Sequence, residues 1–476
     1  MSSTKGPDHY DLLVIGSGEA GKFVPWILSA KHGKKTAVIE RGRVGGSCPN
    51  VACLPSKNVI HSAAIAHEVR RASAFGVSLS GIDPASLKSD MPVVKARKDA
   101  MVKDVNGFQG FFDMFGVEII RGEGTFVGPN EIQVDGGRVL TADHVLICTG
   151  SRARVDARIP GLLEARPMTH IELLDLDVLP AHLIIIGGGY VGVEFAQAYA
   201  RLGSHVTLVQ RGDQLIPRED EDVVQALSGI LAKEGVRIIT SADVQSASGT
   251  NGEEVTVSIR SSPGGEEEVL RGSHILMATG RIPNTADLNL DAAGIKTTAA
   301  GHIVVDEQLR ASASVFAAGD CTGSPHFTHM GFDDFRVIYN HLTGSPREGG
   351  TLGRQVPSVL FTDPELARVG LTEKEARAKG VPYRLAKLPM ASFLRTRTLG
   401  PGASEGFAKA LIEADGERIL GFTALGPGAG ELLPVISLAM KLNAGYRQLA
   451  DLIIAHPTMN EGLVELFLLH VPDGTS

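Results

Sequence analysis

One arrangement occurs twice in this chain and restricts its fold more than any other feature. The apolar run Asp11-Leu-Leu-Val-Ile15 leads directly into Gly16-Ser-Gly18-Glu-Ala-Gly21, and a second apolar segment, Thr36-Ala-Val-Ile39, ends at Glu40. Further on, Leu183-Ile-Ile-Ile186 leads into Gly187-Gly-Gly189-Tyr-Val-Gly192, and Val206-Thr-Leu-Val209 ends at Gln210. Each unit predicts a strand, a glycine-rich turn, a helix and a second strand, the βαβ pattern of dinucleotide binding. The first glycine (Gly16, Gly187) makes the tight turn. The second (Gly18, Gly189) lets backbone approach a pyrophosphate, and the third (Gly21, Gly192) permits close helix–strand packing. The helix start then offers N–H groups and the positive end of its dipole to the phosphates. A single motif of this kind is often a plain surface turn; two copies in the same context are not.

A second repetition follows the first. His144-Val-Leu-Ile-Cys-Thr149-Gly150 and His274-Ile-Leu-Met-Ala-Thr279-Gly280 are both apolar strands closing on Thr-Gly, one after each βαβ unit. The expected fold class is therefore α/β, with two Rossmann-like dinucleotide-binding domains, the second inserted in the first. Residues 1–150 and 281–345 form the first, 151–280 the second, and 346–476 a separate α+β domain with mixed strand-like and helical stretches. A length of 476 residues accommodates about three such domains.

A formal charge of -8 and 5% aromatic content give neither the basic surface nor the stacking platforms of a nucleic-acid binder, and no membrane footprint. The apolar runs are strand-length, short of the roughly 20 residues a membrane span needs. Met1–Tyr10 is polar, without the apolar stretch of a secretory signal, so a cytoplasmic location is expected.

The chemistry centres on Gly45-Gly46-Ser47-Cys48-Pro49-Asn50-Val51-Ala52-Cys53-Leu54-Pro55-Ser56-Lys57. Two cysteines with four residues between them suit a metal pair, a disulfide, or neither. Zinc sites want two such pairs or a histidine at ligand spacing, and His61 is the one nearby candidate, so no metal is expected. On an ideal helix the two Cα atoms would lie roughly 8–9 Å apart, beyond the ~7 Å a disulfide spans. A bond therefore requires Cys48 at an irregular helix start, with Pro49 at a first helical position. A thiol near a helix N-terminus is also expected to have a lowered pKa.

This segment resembles the redox-disulfide segment of the class I pyridine nucleotide–disulfide oxidoreductases, the family of glutathione reductase, dihydrolipoamide dehydrogenase and mercuric reductase. The resemblance extends over nearly the whole chain through Gly319-Asp320, Phe361-Thr-Asp-Pro-Glu365 and His456-Pro-Thr-Met-Asn-Glu461, and is closest to the mercuric-reductase-like branch. It implies an FAD-dependent enzyme moving electrons between NAD(P)H and a Cys48–Cys53 disulfide, with the first domain for FAD, the second for NAD(P) and the third for dimerisation. Gly16, Gly18 and Gly21 would hold the FAD pyrophosphate, Glu40 its adenosine ribose and Asp320 its ribityl chain. Ser47, Thr149, Gly150 and Gly280 join the cofactor contacts. Lys57 would lie by the flavin, paired with Glu194. Cys53 would be the flavin-side thiol and Cys48 the one that attacks substrate. Tyr190 resembles the aromatic gate over the nicotinamide site. His456 and Glu461 resemble an acid–base dyad supplied across a homodimer with shared active sites, and imidazole suits proton transfer near neutral pH.

An acidic residue after the second strand favours NAD, whereas arginines favour a 2′-phosphate. Here Gln210 is followed by Arg211 and later Arg218, which favours NADPH over NADH. The substrate expected is a small disulfide or dithiol, alternatively a metal ion of the mercuric or cupric type; a non-catalytic sensor or docked subunit is the third reading. Trp26 stands where glutathione reductases carry a substrate arginine, and the run Lys22-Phe23-Val24-Pro25-Trp26 is odd for a helix. Arg336 could face substrate or pair with Asp333 and Asp334. Cys321 and Cys148 read as small buried hydrophobes.

Overall fold

The computed structural model describes residues 8–78, 80–83, 86–261 and 264–472; most of the polar start Met1–Tyr10 lies outside them. The chain groups into two compact units, Met1–Ser56 with Ala96–Arg154 and Gly280–Arg354, and Lys57–Lys95 with Val155–Thr279 and Gln355–Ser476.

The first unit is built on a seven-stranded sheet. Its parallel part runs Glu118–Arg121, Thr36–Glu40, His9–Ile15, Val139–Ile147, with Val315–Ala317 also paired to the last of these. The strands Glu131–Val134 and Gly124–Gly128 continue it antiparallel. Both faces are covered, which is why the strands read as unbroken apolar runs. Because side chains alternate along a strand, Leu13 and Ile15 join one core layer with Ala37 and Ile39, while Leu12 and Val14 join another with Val38. Ala20, Val24 and Leu28 of the helix Glu19–His32 complete that second layer. Burial of Val24 and Leu28 contributes about 1.5–3 kcal/mol each. The odd run Lys22–Trp26 lies inside this helix, Pro25 included. Packing of Val24 and Leu28 outweighs the lost backbone hydrogen bond of proline. The helix ends at Gly33, whose φ of 61° only glycine adopts readily.

The second unit repeats the plan. A four-stranded parallel sheet runs Val236–Ile239, His205–Val209, His182–Ile186, His274–Met277, and an antiparallel meander, Ala242–Gly249, Val255–Ser261 and Glu267–Gly272, precedes the last strand in sequence. The order third, second, first, fourth is the same in both sheets. This unit also holds a five-stranded antiparallel sheet, Ser358–Leu360, Glu365–Gly370, Ile419–Gly426, Phe407–Glu413, Tyr383–Pro389. The helices Leu433–Lys441 and Glu461–Leu469 share a core with it. Among the described residues no helix is long and apolar enough to cross a membrane.

Candidate active site

In the first unit, Gly16 has φ 89°, and a Cβ there would lie 2.6 Å from the Cys148 carbonyl oxygen. A Cβ on Gly21 would lie 2.3 Å from the Gly16 carbonyl oxygen. Side chains are thus excluded by the protein's own backbone. Gly18 caps the helix without a side-chain hydrogen bond, leaving the first-turn N–H groups to another acceptor. Glu40 ties the turn together: one carboxylate oxygen accepts from the Ser17 amide (2.9 Å) and hydroxyl (2.6 Å), the other from the Gly42 amide (2.7 Å). Asp320 accepts a hydrogen bond from Ser151 Oγ, to which Arg281 Nε also donates at 2.7 Å. Thr149 and Gly150 close the adjoining strand, and Asn284 bonds both through the Thr149 and Gly150 carbonyls (2.9 and 3.0 Å). Gly280 accepts the Arg154 amide at 2.9 Å.

Cys48 and Cys53 lie on two different helices. Cys48 follows the exposed Ser47 in the five-residue helix Ser47–Val51, Ala52 breaks the backbone at φ -130°, ψ -100°, and Cys53 opens the helix Cys53–Arg70. The irregularity needed to bring five-apart cysteines together therefore sits at Ala52. Both are thiols in this structure. A hydrogen bond donated by the Cys48 thiol to Cys53, reinforced by burial, pushes Cys48 well up. This corrects the expectation of a lowered value there: a neighbouring sulfur and desolvation outweigh the weak dipole of a one-turn helix. Thr328 Oγ1, at the start of the helix Thr328–Leu342, lies 3.3 Å from Cys53 Sγ. Glu19 adds a smaller push on Cys48 and pairs with the buried Lys22 at 2.8 Å.

In the second unit, Gly187 has φ 113°, and a Cβ on Gly192 would lie 1.9 Å from the Gly187 carbonyl oxygen. A Cβ on Gly189 would meet nothing within 4 Å. Gln210 Oε1 accepts the Gly188 amide at 3.0 Å, and Arg211 and Arg218 are exposed. Tyr190 opens the helix Tyr190–Leu202 and donates its hydroxyl to Glu219 at 2.7 Å. Lys57 Nζ lies 2.8 Å from the buried carboxylate of Glu194 and 4.7 Å from the centre of the Phe361 ring. The other oxygen of Glu194 accepts the Phe361 amide at 2.9 Å. His456 Nδ1 is 3.0 Å from both oxygens of Glu461, with the imidazole largely exposed. Leu452, Ile453, Leu468 and Leu469, neighbours in sequence, are exposed too, Ile453 fully.

Residues 10–334 match the family described as pyridine nucleotide-disulphide oxidoreductase, and residues 356–467 match its dimerisation domain. The chain belongs to this family. It is 33% identical to the mitochondrial dihydrolipoyl dehydrogenase of Pisum sativum, covering 97% of this chain and 91% of that one. It is also 33% identical to a mercuric reductase of Staphylococcus aureus, over 95% and 81%. Its structure matches the HOCl-induced flavoprotein disulfide reductase RclA from Escherichia coli with TM-score 0.85 and 32% identity, over 97% of this chain and all of that one. Family membership makes the chain an NAD(P)H-dependent FAD enzyme acting on sulfur groups, and the dimerisation domain supports a homodimer.

The residues present fit both nucleotides. The first turn presents a helix start with no side-chain cap, and the second leaves open space where the Gly189 side chain would be. Trp26 packs against Phe111 at 4.5 Å between ring centres, also near Phe23 and Phe115, which makes it part of an aromatic core. Arg336 is exposed, 3.8 Å from Asp333 and over the Phe332 ring. Cys148 and Cys321 are buried, and burial pushes the Cys321 thiol up to about 11. Among the described residues one group, Asp220, Asp222 and Glu373, has the spacing of metal ligands, and the Lys409 ammonium lies within 2.8 Å of all three. Thr328, Glu19 and Glu219 were not singled out from sequence; their contacts come from segments remote in the chain or from burial, which no local motif announces.

Proposed function

We propose that this enzyme takes electrons from NADPH and delivers them, through Cys48 and Cys53, to a small disulfide. The observation that carries this is that Cys48 and Cys53 flank the backbone break at Ala52 as free thiols, with Cys53 the largest single influence on Cys48, as a pair interchanging between dithiol and disulfide requires. FAD, when bound, supplies the two-electron relay between the nicotinamide and this pair. On this reading Gly16, Gly18, Gly21, Glu40, Ser47, Thr149, Gly150 and Asp320 hold FAD. Gly187, Gly189, Tyr190, Gly192, Gln210, Arg211 and Gly280 serve the coenzyme, and the Lys57–Glu194 pair positions a fixed positive charge.

The chain's own residues then carry out thiol–disulfide exchange. Cys48, as thiolate, attacks one sulfur of the substrate; the substrate S–S bond breaks, a mixed disulfide forms and one substrate thiolate leaves. Cys53 attacks the Cys48 sulfur, the second substrate thiolate leaves, and the Cys48–Cys53 disulfide remains. Because its neighbours push Cys48 up, it is protonated at neutral pH and needs a base. His456 of the partner subunit, oriented by the partner's Glu461, accepts that proton and returns it to the leaving sulfur. The neutral Gln210 removes repulsion from a 2′-phosphate, and the exposed Arg211 and Arg218 supply attraction. A cytoplasmic setting, where thiols stay reduced, suits this chemistry.

The test is an anaerobic screen of the FAD-loaded dimer against small disulfides and metal ions with NADPH and NADH. Disulfide turnover is expected, reduced by at least about 10³-fold in Cys48→Ser and about 10²-fold in His456→Ala. Full disulfide turnover in Cys48→Ser would sink the proposal. A metal-ion reductase is the second reading, favoured by the likeness to a mercuric reductase and to the RclA protein, which was also solved as a Cu(II) complex. It predicts near-normal reduction of Hg(II) or Cu(II) in His456→Ala.

A further inference from the structure

The loop between Gln210 and the helix Glu221–Lys233 contains a carboxylate the proposed mechanism does not use. Glu219 is 1% exposed, and its Oε1 accepts the Tyr190 hydroxyl at 2.7 Å while Arg368 Nε lies 3.3 Å from the same oxygen. Among the described residues no hydrogen-bond partner reaches its Oε2. A buried carboxylate with a bare oxygen is a poor way to gain stability, because desolvation is incompletely offset. Burial accordingly pushes Glu219 up, with Arg368 and Tyr190 opposing.

The loop is also pinned to the glycine turn. Ile216 donates its amide to the Gly188 carbonyl at 2.7 Å and is held at φ 37°, a left-handed conformation that a β-branched residue rarely adopts. A Cβ on Gly188 would lie 2.5 Å from Leu215 Cδ2, so the loop packs directly on this glycine. The Glu219 amide in turn bonds the Ile216 carbonyl at 2.9 Å. A strained loop, anchored by the buried Leu215 and Ile216, thus delivers one carboxylate to the hydroxyl of the residue that follows the middle glycine.

We infer that Glu219, backed by Arg368, is a positioning residue that latches Tyr190 closed over the nicotinamide site and opposes coenzyme entry. This rests on the reading of Tyr190 as the nicotinamide gate. A hydroxyl bonded to a buried carboxylate exchanges that partner for water when the ring swings aside, so the closed ring is favoured until nicotinamide displaces it. Phe at position 190 keeps the ring and removes the latch; Gln at 219 keeps the shape and weakens it.

Titration of the FAD-loaded dimer with NADP+ and NAD+ tests this. Tyr190→Phe and Glu219→Gln are each expected to tighten both coenzymes by about three- to tenfold, and Glu219→Gln to add less than about twofold in the Tyr190→Phe background. A Glu219→Gln effect equally large in both backgrounds overturns the latch, as does unchanged or weakened binding in Tyr190→Phe. Tyr190→Ala separates the two levels. If it alters neither coenzyme affinity nor the rate of flavin reduction by NADPH, the gate reading itself fails; if it alters them while the paired variants are additive, only the latch fails.

Discussion

Among the described residues, Glu40 in the first unit accepts three hydrogen bonds, from the Ser17 amide and hydroxyl and from the Gly42 amide, and Gln210 in the second accepts one, from the Gly188 amide. Both side chains stand at the end of the strand after a glycine turn and hold that turn through a backbone N–H. The turn therefore needs an acceptor oxygen there and does not need a charge, which leaves charge at position 210 available for choosing the coenzyme. The middle glycines differ as well. A Cβ on Gly18 would lie 3.1 Å from the Cys148 carbonyl oxygen, and one on Gly46, just before the Cys48 helix, 2.8 Å from Gly18 Cα. Gly189 faces open space. The first turn is locked at its middle glycine into the segment that carries the cysteines, whereas the second is held at Gly188 and left open at Gly189.

The largest expected effects break this comparison at the glycines. Gly21→Ala and Gly192→Ala force a Cβ to 2.3 and 1.9 Å from a carbonyl oxygen, so each should destabilise by about 1–3 kcal/mol or more. Thermal unfolding and flavin absorbance should show FAD loss in the first, and titration loss of coenzyme binding in the second. Gly189→Ala should leave the apparent Tm within about 1 °C and lower kcat/KM for NADPH by at least about tenfold. Normal NADPH kinetics in that variant would mean the open space is not where the pyrophosphate approaches.

The strand-end residues sharpen the comparison. Gln210→Glu keeps the acceptor for Gly188 and adds charge, so the NADPH-to-NADH ratio of kcat/KM should fall by about ten- to a hundredfold. An unchanged ratio would place the 2′-position elsewhere. The reciprocal Glu40→Gln necessarily loses one acceptor oxygen among three bonds, and equilibrium dialysis should show FAD held less tightly by about 1–3 kcal/mol.

The smallest effect concerns His144 and His274, which open equivalent stretches of the fourth strand in the two sheets. Burial lowers both below 6.5. The unfolded chain then binds more protons just below that value, so stability falls as pH drops through 6.5 towards the folded pKa values. His144→Gln and His274→Gln should each shrink the fall in apparent Tm between pH 7 and pH 5.5 by roughly 1–2 °C. An identical fall in both variants and the parent would show that neither imidazole reports burial.

Much of this was legible in the sequence because it depends on short-range geometry. The glycine spacings, the apolar strands closing on Thr-Gly and the five-residue step from His456 to Glu461 each lie within one or two elements. The kink at Ala52 was foreshadowed by cysteine spacing but assigned to the wrong residue, since a helix break reflects packing as much as propensity. The helix through Pro25 was masked for the same reason. Thr328 meets Cys53 across 275 residues, a pairing no local pattern encodes.

Sequence by itself determined the duplicated βαβ plan, the cysteine pair and the charge-neutral end of the second strand, because steric demands on glycine and alternation along a strand are fixed within a few residues. Tertiary structure alone decided the proton affinity of Cys48, the partners of Thr328 and Glu219, and the unequal seating of the two turns. Those properties depend on which remote atoms exclude water or complete a hydrogen bond, and such neighbours exist only once the chain has folded.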